Sequence, residues 1–351
     1  MNDNMPILSA FAPTTTRADS RHAEGTLIDR WGRHITYIRL SVTDRCDFRC
    51  QYCMPMKMKF LPKREILSLE ECLRVARVFA DLGVTKVRIT GGEPLVRANV
   101  AWLCGKIADL PNIREVAITT NGSQLPQLAI PLQNAGVRRV NISLDTLDAD
   151  NFRRLTRTGN LSAVLAGIQA AQEAKFPGGV KINAVMMRGV NHLELTNLAD
   201  FALSRDMDIS FIEEMPLGDI GYGRSKTYYS ADDALAALQK VFSLQPSNFD
   251  SGGPARYWQV AGSKQKIGFI TPHSHNFCAS CNRVRITAVG GLYPCLGQND
   301  LVDLRPALRG GDDDMLRQRI IATMAIKPKG HDFDAAADDA KVVRFMSATG
   351  G

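Results

Sequence analysis

Short apolar runs alternate with amphipathic stretches through the middle of the chain, and this alternation predicts repeated βα units. The short runs are rich in Val and Ile and end in small polar residues, as strands of a buried parallel sheet do. The predicted strands are 36–42, 84–90, 113–119, 137–143, 180–186 and 208–213. The predicted helices are 68–82, 98–110, 125–135, 161–174, 193–204 and 231–242. Six such units in a row indicate an α/β fold, an incomplete TIM-like (β/α)6 barrel.

Residues that could take part in binding or catalysis directly follow, or end, several of these strands. Because the carboxyl ends of parallel barrel strands meet at one face, that face is expected to carry the chemistry. The residues at these positions are Cys46, Gly91, Gly92, Thr119, Ser143, Met187 and Glu213.

Three cysteines after the first strand are the most informative feature of the chain. Cys46, Cys50 and Cys53 have the spacing C-x3-C-x2-C. Three thiolates can hold three irons of a [4Fe–4S] cluster and leave the fourth iron open to a small molecule. A structural zinc site is the alternative, but zinc usually takes a fourth ligand close by.

A second trio lies far downstream. Cys278, Cys281 and Cys295 have the spacing C-x2-C-x13-C. A second cluster is one interpretation, and a zinc site completed by His273 or His275 is the other. The remaining cysteines, Cys72 and Cys104, lie in helical stretches and are expected to be small core residues. Six of the eight cysteines are clustered in the two trios, which favours metal chemistry in a reducing compartment. The predicted location is therefore cytoplasmic.

The motifs together resemble one family, the GTP 3′,8-cyclases of the radical S-adenosylmethionine (SAM) superfamily, also called molybdenum cofactor biosynthesis protein A. The resemblance extends from about Thr36 to the C-terminus. It rests on both cysteine trios and on the segments 41–46, 88–95, 119–122, 141–145, 278–285 and the terminal Gly350-Gly351.

The resemblance implies an activity and its cofactors. The expected enzyme is a lyase that converts GTP to 3′,8-cyclo-7,8-dihydro-GTP, the first step of molybdenum cofactor biosynthesis. The implied cofactors are two [4Fe–4S] clusters and SAM, whose 5′-deoxyadenosyl radical would remove the ribose 3′ hydrogen. No side chain is expected to act as a catalytic group itself.

The resemblance also assigns residues. The cluster ligands would be Cys46, Cys50, Cys53, Cys278, Cys281 and Cys295. SAM would contact Tyr52, Gly92, Ser143 and Met215. GTP would contact Arg39, Arg88, Thr119, Lys181, Arg283, Val284 and Arg285. The terminal glycines Gly350 and Gly351 would reach into the active site.

Charge and composition bear on the partners. The formal net charge is +7, yet no long basic run and no basic–aromatic interleaving is present, so a triphosphate pocket is favoured over a nucleic-acid surface. No apolar run reaches membrane-spanning length. The implied partners are GTP, an electron donor such as flavodoxin or ferredoxin and the downstream cyclic pyranopterin monophosphate synthase, with a homodimer left open.

The predicted organisation has four parts. Residues 1–35 form an extension whose first 20 residues are expected to be disordered, and 36–247 form the barrel. Residues 248–335 form a small iron–sulfur domain over the open side of the barrel, and 336–351 form a tail. Two alternatives stay open: another radical SAM enzyme with an auxiliary cluster, and a zinc-bearing nucleic-acid-binding protein.

Overall fold

The computed structural model describes residues 26–335 and 341–350, and it contains one twelve-stranded sheet. The strands are β1 Tyr37–Ser41, β2 Lys86–Thr90, β3 Glu115–Thr120, β4 Val137–Ser143, β5 Val180–Met186, β6 Asp208–Glu213, β7 Leu244–Ser247, β8 Arg256–Val260, β9 Lys266–Ile270, β10 Arg283–Ile286, β11 Gly291–Tyr293 and β12 Val302–Asp303. Their order is β12-β11-β10-β1-β2-β3-β4-β5-β6-β9-β8-β7. The predicted disorder of the first 20 residues lies outside the described residues, as does Gly351.

Helices follow most of the parallel strands and provide the outer apolar layer. They are α1 Leu69–Asp81, α2 Val100–Ala108, α3 Leu125–Asn134, α4 Ala149–Thr156, α5 Leu161–Glu173, α6 Leu195–Leu203, α7 Ala231–Gln239, α8 Arg305–Gly310, α9 Asp313–Ala325 and α10 Met346–Thr349. At the start of α1 the Ser68 hydroxyl accepts from the Glu71 N–H, and the Glu71 carboxylate accepts from the Ser68 N–H. This capping box confirms the predicted helix start.

The six predicted βα units are confirmed. β4, β5 and β6 have the predicted bounds, and β1 to β6 pair in parallel in chain order. The sequence prediction missed α4, a short helix after β4 whose buried residues are Phe152, Leu155 and Thr156. Cys72 and Cys104 are fully buried, as expected of core residues.

The C-terminal residues extend the sheet at both edges, where a separate layer over the open side was expected. β10 pairs in parallel with β1, and β9 pairs in parallel with β6. The antiparallel strands β11 and β12 continue from β10, while β8 and β7 continue from β9. Eight parallel strands therefore form the centre of the sheet. The boundary near residue 247 stays a prediction.

The parallel strands place polar residues on one face and apolar residues on the other. In β1, Ile38 and Leu40 are buried in the core, while Tyr37, Arg39 and Ser41 share the opposite face because residues two apart lie on one side of a strand. Parallel strands buried on both faces are normally apolar throughout. The alternation thus indicates that the inner face surrounds a polar cavity, whereas the outer face packs against the helices.

Membrane insertion by a helix finds no support in this fold. Within the described ranges, every helix is too short or too polar to cross a bilayer.

Candidate active site

One cavity of about 260 Å³ lies on the inner face of the sheet, and both cysteine trios line it. The wall also contains the ends of five parallel strands, through Thr90, Thr120, Ser143, Glu213 and Ile270. This agrees with the expectation that chemistry gathers at the carboxyl ends of the barrel strands.

The two trios lie at opposite ends of the strands that they flank. Cys46 follows β1 and is therefore at its carboxyl end, whereas Cys281 precedes β10. Because β10 runs parallel to β1, the start of β10 lies beside the start of β1, and the Asn282 carbonyl accepts from the Tyr37 N–H at 3.2 Å. The cavity thus extends along the strands, with three thiols at each end.

Hydrogen bonds from other elements hold the loop that carries the first trio. Asp47 accepts from the Asn121 side chain at 2.6 Å and from the Ser123 hydroxyl at 2.6 Å. The Cys46 thiol accepts from the Phe48 N–H at 3.3 Å. The loop after β3 therefore fixes the start of the cysteine loop.

Gly91 and Gly92 allow the turn after β2 to lie directly against the cysteine loop. A Cβ at Gly92 would lie 2.5 Å from the Arg45 carbonyl oxygen, too close for any side chain. The Gly92 N–H donates to the Thr43 carbonyl, and the Glu93 N–H donates to the Arg45 carbonyl, both at 2.8 Å. The observed need for glycine is thus packing against this loop, while the expected contact of Gly92 with SAM stays a prediction.

The end of the cavity beside the first trio is acidic. Glu93 accepts from the Thr120 hydroxyl and the Asn121 N–H, and burial raises the pKa of Glu93 to about 7 despite these bonds. Asp145 accepts from the Tyr52 hydroxyl at 2.7 Å, and burial raises the pKa of Asp145 to about 6. Carboxylates in this position suit a ligand that carries positive charge.

The same surroundings keep the first three thiols protonated in the absence of a metal. Burial, followed by the charge of Glu93, raises the pKa of Cys46. Burial raises the pKa of Cys50 and brings that of Cys53 to about 12. Thiolate ligands at this end therefore require the positive charge of bound iron.

The second trio has basic surroundings. Burial would raise the pKa of Cys281, but the charges of Lys327 and Arg283 outweigh it and bring the pKa to about 7. The Lys327 ammonium lies 3.6 Å from the Cys281 sulfur. Arg33 donates to the Cys278 carbonyl at 2.7 Å. The two trios thus differ in charge environment as well as in position.

Arginines on two adjacent strands face the cavity between the trios: Arg39 on β1, and Arg283 and Arg285 on β10. Strand register places Arg39 of β1 beside Arg88 of β2 and beside Arg285 of β10, and Arg283 lies opposite Tyr37. Nε and Nη2 of Arg39 are buried and find no hydrogen-bond partner within the described part of the chain. A cluster of guanidinium groups with unused donors is the arrangement that a polyanion would complete.

The arginine cluster also perturbs the groups within it. Burial lowers the pKa of Arg39 to about 10. The charges of Arg88 and Arg283 lower it as well, whereas Tyr37 raises it. Burial opposes ionisation of Tyr37, but the charges of Arg88, Arg39 and Lys86 lower its pKa to about 7. Burial lowers the pKa of Arg285 well below the usual value of an arginine.

The structure brings together most of the residues that the sequence assigned to the site. The expected SAM contacts all line the cavity: Tyr52, Gly92, Ser143 and Met215. Of the expected GTP contacts, Arg39, Thr119, Arg283, Val284 and Arg285 line it. These positions agree with the expected roles, which themselves stay predictions.

Arg88 and Lys181 lie behind the cavity wall with partners of their own. Arg88 donates to the Tyr37 hydroxyl and to the Thr119 hydroxyl, the latter at 3.1 Å. Lys181 donates to the Tyr257 hydroxyl at 2.7 Å. Direct contact of either side chain with a substrate stays a prediction. Arg88 holds the wall residue Thr119, whereas the partner of Lys181 lies outside the wall.

The C-terminal tail enters the site from the side of the second trio. The Arg344 guanidinium stacks on Tyr293 at 3.9 Å from the ring centre and donates to the carbonyls of Cys295, Leu296 and Gln298. Beyond it, Met346 and Ser347 line the cavity. The sequence analysis did not single out Arg344, because an arginine near a chain end gives no pattern.

Gly350 contacts two wall residues. Its carbonyl accepts from Arg285 at 2.6 Å, and a Cβ on Gly350 would lie 2.0 Å from the Thr90 hydroxyl oxygen. The backbone φ of Gly350 is +74°, which favours glycine. The tail glycine is thus fitted to the site by shape and by conformation.

Each trio offers three thiols, a donor set that can hold three irons of a [4Fe–4S] cluster. All eight cysteines are free thiols. Among residues 26–335 and 341–350, no three His, Cys, Asp or Glu side chains are placed to share one ion, whereas each thiolate of a cluster binds a different iron. His275 contacts Asp232 and His273 contacts the Glu214 carbonyl, so both candidate zinc ligands have other partners.

Comparison with known proteins agrees with this reading of the site. The radical SAM superfamily signature matches residues 40–202, and the signature described as Molybdenum Cofactor Synthesis C matches residues 207–333. The structure of Streptococcus suis SuiB bound to S-adenosylmethionine is similar in fold, with a TM-score of 0.58 at 16% identity. That alignment covers 90% of this chain and 78% of SuiB.

Curated relatives give the finer assignment. A GTP 3′,8-cyclase of Pseudomonas savastanoi is 53% identical over 333 residues, which are 94% of this chain and all of the relative. A GTP 3′,8-cyclase of Saccharophagus degradans is 50% identical and matches 93% of this chain and 99% of its own length. The fold and the cysteine site define a radical SAM protein. Within that class, the chain belongs to the GTP 3′,8-cyclase family.

A methyl group at Gly350 should release the tail. Gly350→Ala would place Cβ against Thr90 in a backbone conformation that alanine rarely adopts, so we expect faster amide hydrogen exchange in residues 341–350. Gly310→Ala is the matched control, because nothing lies within 4 Å of a Cβ there. Wild-type protection of the tail in Gly350→Ala would contradict this fitted position.

Proposed function

We propose that this protein is a GTP 3′,8-cyclase that converts GTP to 3′,8-cyclo-7,8-dihydro-GTP in the first step of molybdenum cofactor biosynthesis. The observation that carries the proposal is the single cavity with a cysteine trio at each end and arginines between them. Such a lining offers thiols at both ends and, between them, guanidinium donors that are unpaired within the described residues, which suits a cofactor at one end and a polyanionic substrate beside the arginines. The names of two relatives whose alignments cover 94% and 93% of this chain support the same activity.

The first end of the cavity is the proposed SAM site. Cys46, Cys50 and Cys53 would hold a [4Fe–4S] cluster with one iron free for the cofactor. When bound, the reduced cluster and SAM would supply the radical chemistry that removal of the ribose 3′ hydrogen requires. The carboxylates of Glu93 and Asp145 give this end a negative potential, which favours a ligand with ammonium and sulfonium charges.

The loop geometry gives Tyr52 a defined role in the proposed SAM site. Its hydroxyl donates to Asp145, and Asp145 in turn accepts from the Val185 N–H at 2.8 Å. The cysteine loop is thereby tied to β5 across the cavity. We infer that this tie fixes the distance between the cofactor and the opposite wall.

The opposite end is the proposed substrate site. Cys278, Cys281 and Cys295 would hold a second [4Fe–4S] cluster, and its open iron would take a nitrogen or oxygen of guanine. Arg39, Arg283 and Arg285 would bind the triphosphate, since guanidinium groups make paired hydrogen bonds to phosphate oxygens. The ribose would then lie between the base and the cofactor.

The protein also controls access of water. A carbon radical reacts with any nearby hydrogen donor, so the site must be closed during the reaction. The tail segment that includes Met346 and Ser347 occupies one side of the cavity and is held by Arg344. We infer that the tail, through Gly350, completes the closure.

A basic rim beside the first trio suits an acidic electron donor. Arg45, Lys57, Lys59, Lys63 and Arg64 are exposed on the segment around the cysteine loop. An electron-transfer protein with negative surface charge, such as a flavodoxin or ferredoxin, would be attracted to this rim. The proposal further includes a cytoplasmic location, where reduced thiols persist, and use of the product by a cyclic pyranopterin monophosphate synthase. A homodimer stays a prediction.

Replacement of one cysteine in each trio should separate the two ends of the site. Anaerobically reconstituted wild-type protein should contain about eight irons per chain, the content of two [4Fe–4S] clusters. Cys281→Ala should contain about four, still cleave SAM to 5′-deoxyadenosine with dithionite, and form no cyclised product. Cys50→Ala should lose SAM cleavage.

Cys104→Ala serves as the control for cysteine removal, because Cys104 is buried in the core away from the cavity. It should retain the wild-type iron content. Zinc in the second trio, or full cyclase activity in Cys281→Ala, would contradict the assignment of that trio.

Arg39→Met should separate substrate binding from stability. Loss of one charge-assisted hydrogen bond, worth about 1.5–3 kcal/mol, should weaken GTP binding roughly 10- to 150-fold. Because Arg39 has buried donors without partners, the ligand-free variant should unfold at the same temperature or higher. Calorimetry with GTP, calorimetry with SAM and thermal unfolding measure these effects.

The control for Arg39→Met is Arg114→Met, which removes an exposed arginine outside the cavity. It should change neither ligand affinity. If Arg39→Met instead weakened SAM and GTP binding equally and lowered the unfolding temperature, Arg39 would have a structural role only.

A further inference from the structure

Lys327 is the only charged side chain among the largest fully buried side chains of the described residues. Its exposed fraction is 1%, and it lies just after α9, outside every motif that the sequence analysis used. A buried ammonium is costly unless acceptors surround it. The identity of its acceptors therefore indicates why the chain keeps a lysine here.

The acceptors of Lys327 all belong to the second cysteine trio or to residues beside it. Its Nζ donates to the Cys281 sulfur at 3.6 Å, to the Arg283 carbonyl at 2.8 Å and to the Pro294 carbonyl at 2.5 Å. Arg283 is two residues after Cys281, and Pro294 directly precedes Cys295. One ammonium group thus joins the two chain segments that carry these cysteines.

No carboxylate is among the groups that the Lys327 ammonium contacts in the described residues. Two neutral carbonyls satisfy its hydrogen bonds but leave its positive charge unbalanced. Thiolates that bind a cluster carry negative charge, and the nearest one would be Cys281. A bound [4Fe–4S] cluster would therefore supply the negative charge that the Lys327 ammonium lacks. In this respect the residues around Lys327 fit a cluster at the second trio.

The N-terminal segment holds the turn on which Lys327 lies. Trp31 donates its indole N–H to the Lys327 carbonyl at 3.0 Å, and Arg33 donates to the Pro328 carbonyl at 2.6 Å. Arg33 also donates to the Cys278 carbonyl and is paired with Asp29 at 2.6 Å. The segment before β1, which had no expected role, thus contacts both the Cys278 carbonyl and the turn of Lys327.

We propose that Lys327 is a positioning residue of the second cluster site, where it sets the separation of the Cys281 and Cys295 segments and places a positive charge beside the cluster. The proposal rests on the proposed function, in which this trio holds a [4Fe–4S] cluster. A positive charge near a cluster favours the reduced state, which has one more negative charge. Removal of that charge should make reduction of the second cluster harder.

The test uses Lys327→Met, which keeps length and apolar volume but removes the charge and the donor. Lys327→Gln keeps a donor without the charge, and Lys329→Met removes an exposed lysine two residues away as the control. Iron content and a potentiometric titration followed by electron paramagnetic resonance are measured for each. A parallel set in which Cys46, Cys50 and Cys53 are replaced by Ala leaves the second cluster as the only signal.

We expect the midpoint potential of the second cluster to shift to lower values in Lys327→Met and Lys327→Gln. The potential of the first cluster and both potentials in Lys329→Met should equal those of the wild type. Loss of the second cluster from Lys327→Met, with its retention in Lys329→Met, would support the positioning role. Circular dichroism identifies a variant that fails to fold, and Lys327→Gln then carries the test.

Two results separate the failure of this inference from failure of the proposed function. Wild-type protein with about eight irons, together with unchanged iron and unchanged potentials in both Lys327 variants, would overturn the role of Lys327. Wild-type protein with only about four irons would overturn the second cluster itself, and with it the proposed function.

Discussion

The parallel pairing of β10 with β1 is the interaction on which the site depends. It joins residues about 245 positions apart in the chain, and the register sets Arg285 beside Arg39 and Arg283 beside Tyr37. The same pairing brings the second cysteine trio to the amino end of β1, while the first trio follows its carboxyl end. Without it, the two trios would not line one cavity.

The pairing also concentrates like charges, and this shapes the chemistry of the site. Arg39, Arg88 and Arg285 occupy neighbouring strands, and two nitrogens of Arg39 have no partner in the described ranges. Such an arrangement lowers the stability of the empty protein and is relieved by an anion. The acidic residues Glu93 and Asp145 lie at the other end, so the cavity has an acidic end and a basic wall.

The sequence was sufficient for the six βα units, and most of the residues that it assigned to the site line the cavity. β4, β5 and β6 have the predicted bounds because each is an apolar run that ends in polar residues, and such a run defines where the strand begins and ends. The short helix α4 was missed because only three of its residues are buried. β10 was expected in a separate domain, since a four-residue strand with alternating arginines does not reveal its partner.

The contacts that hold the site were not predictable from the sequence. Lys327 and Arg344 act on backbone carbonyls, and such contacts depend on tertiary structure rather than on any local pattern. Arg88 and Lys181 are expected GTP contacts, and that expectation stays a prediction; the structure adds a tyrosine hydroxyl as a partner of each. Pairing of a basic residue with a distant tyrosine leaves no sequence signal.

In the proposed reaction, the cavity would hold the substrate ribose at the SAM end and the base at the other end. The most direct measurement is mass spectrometry of 5′-deoxyadenosine formed from GTP that carries deuterium at the ribose 3′ carbon. We expect one deuterium to appear in 5′-deoxyadenosine together with cyclised product. Cyclised product accompanied only by unlabelled 5′-deoxyadenosine would contradict it.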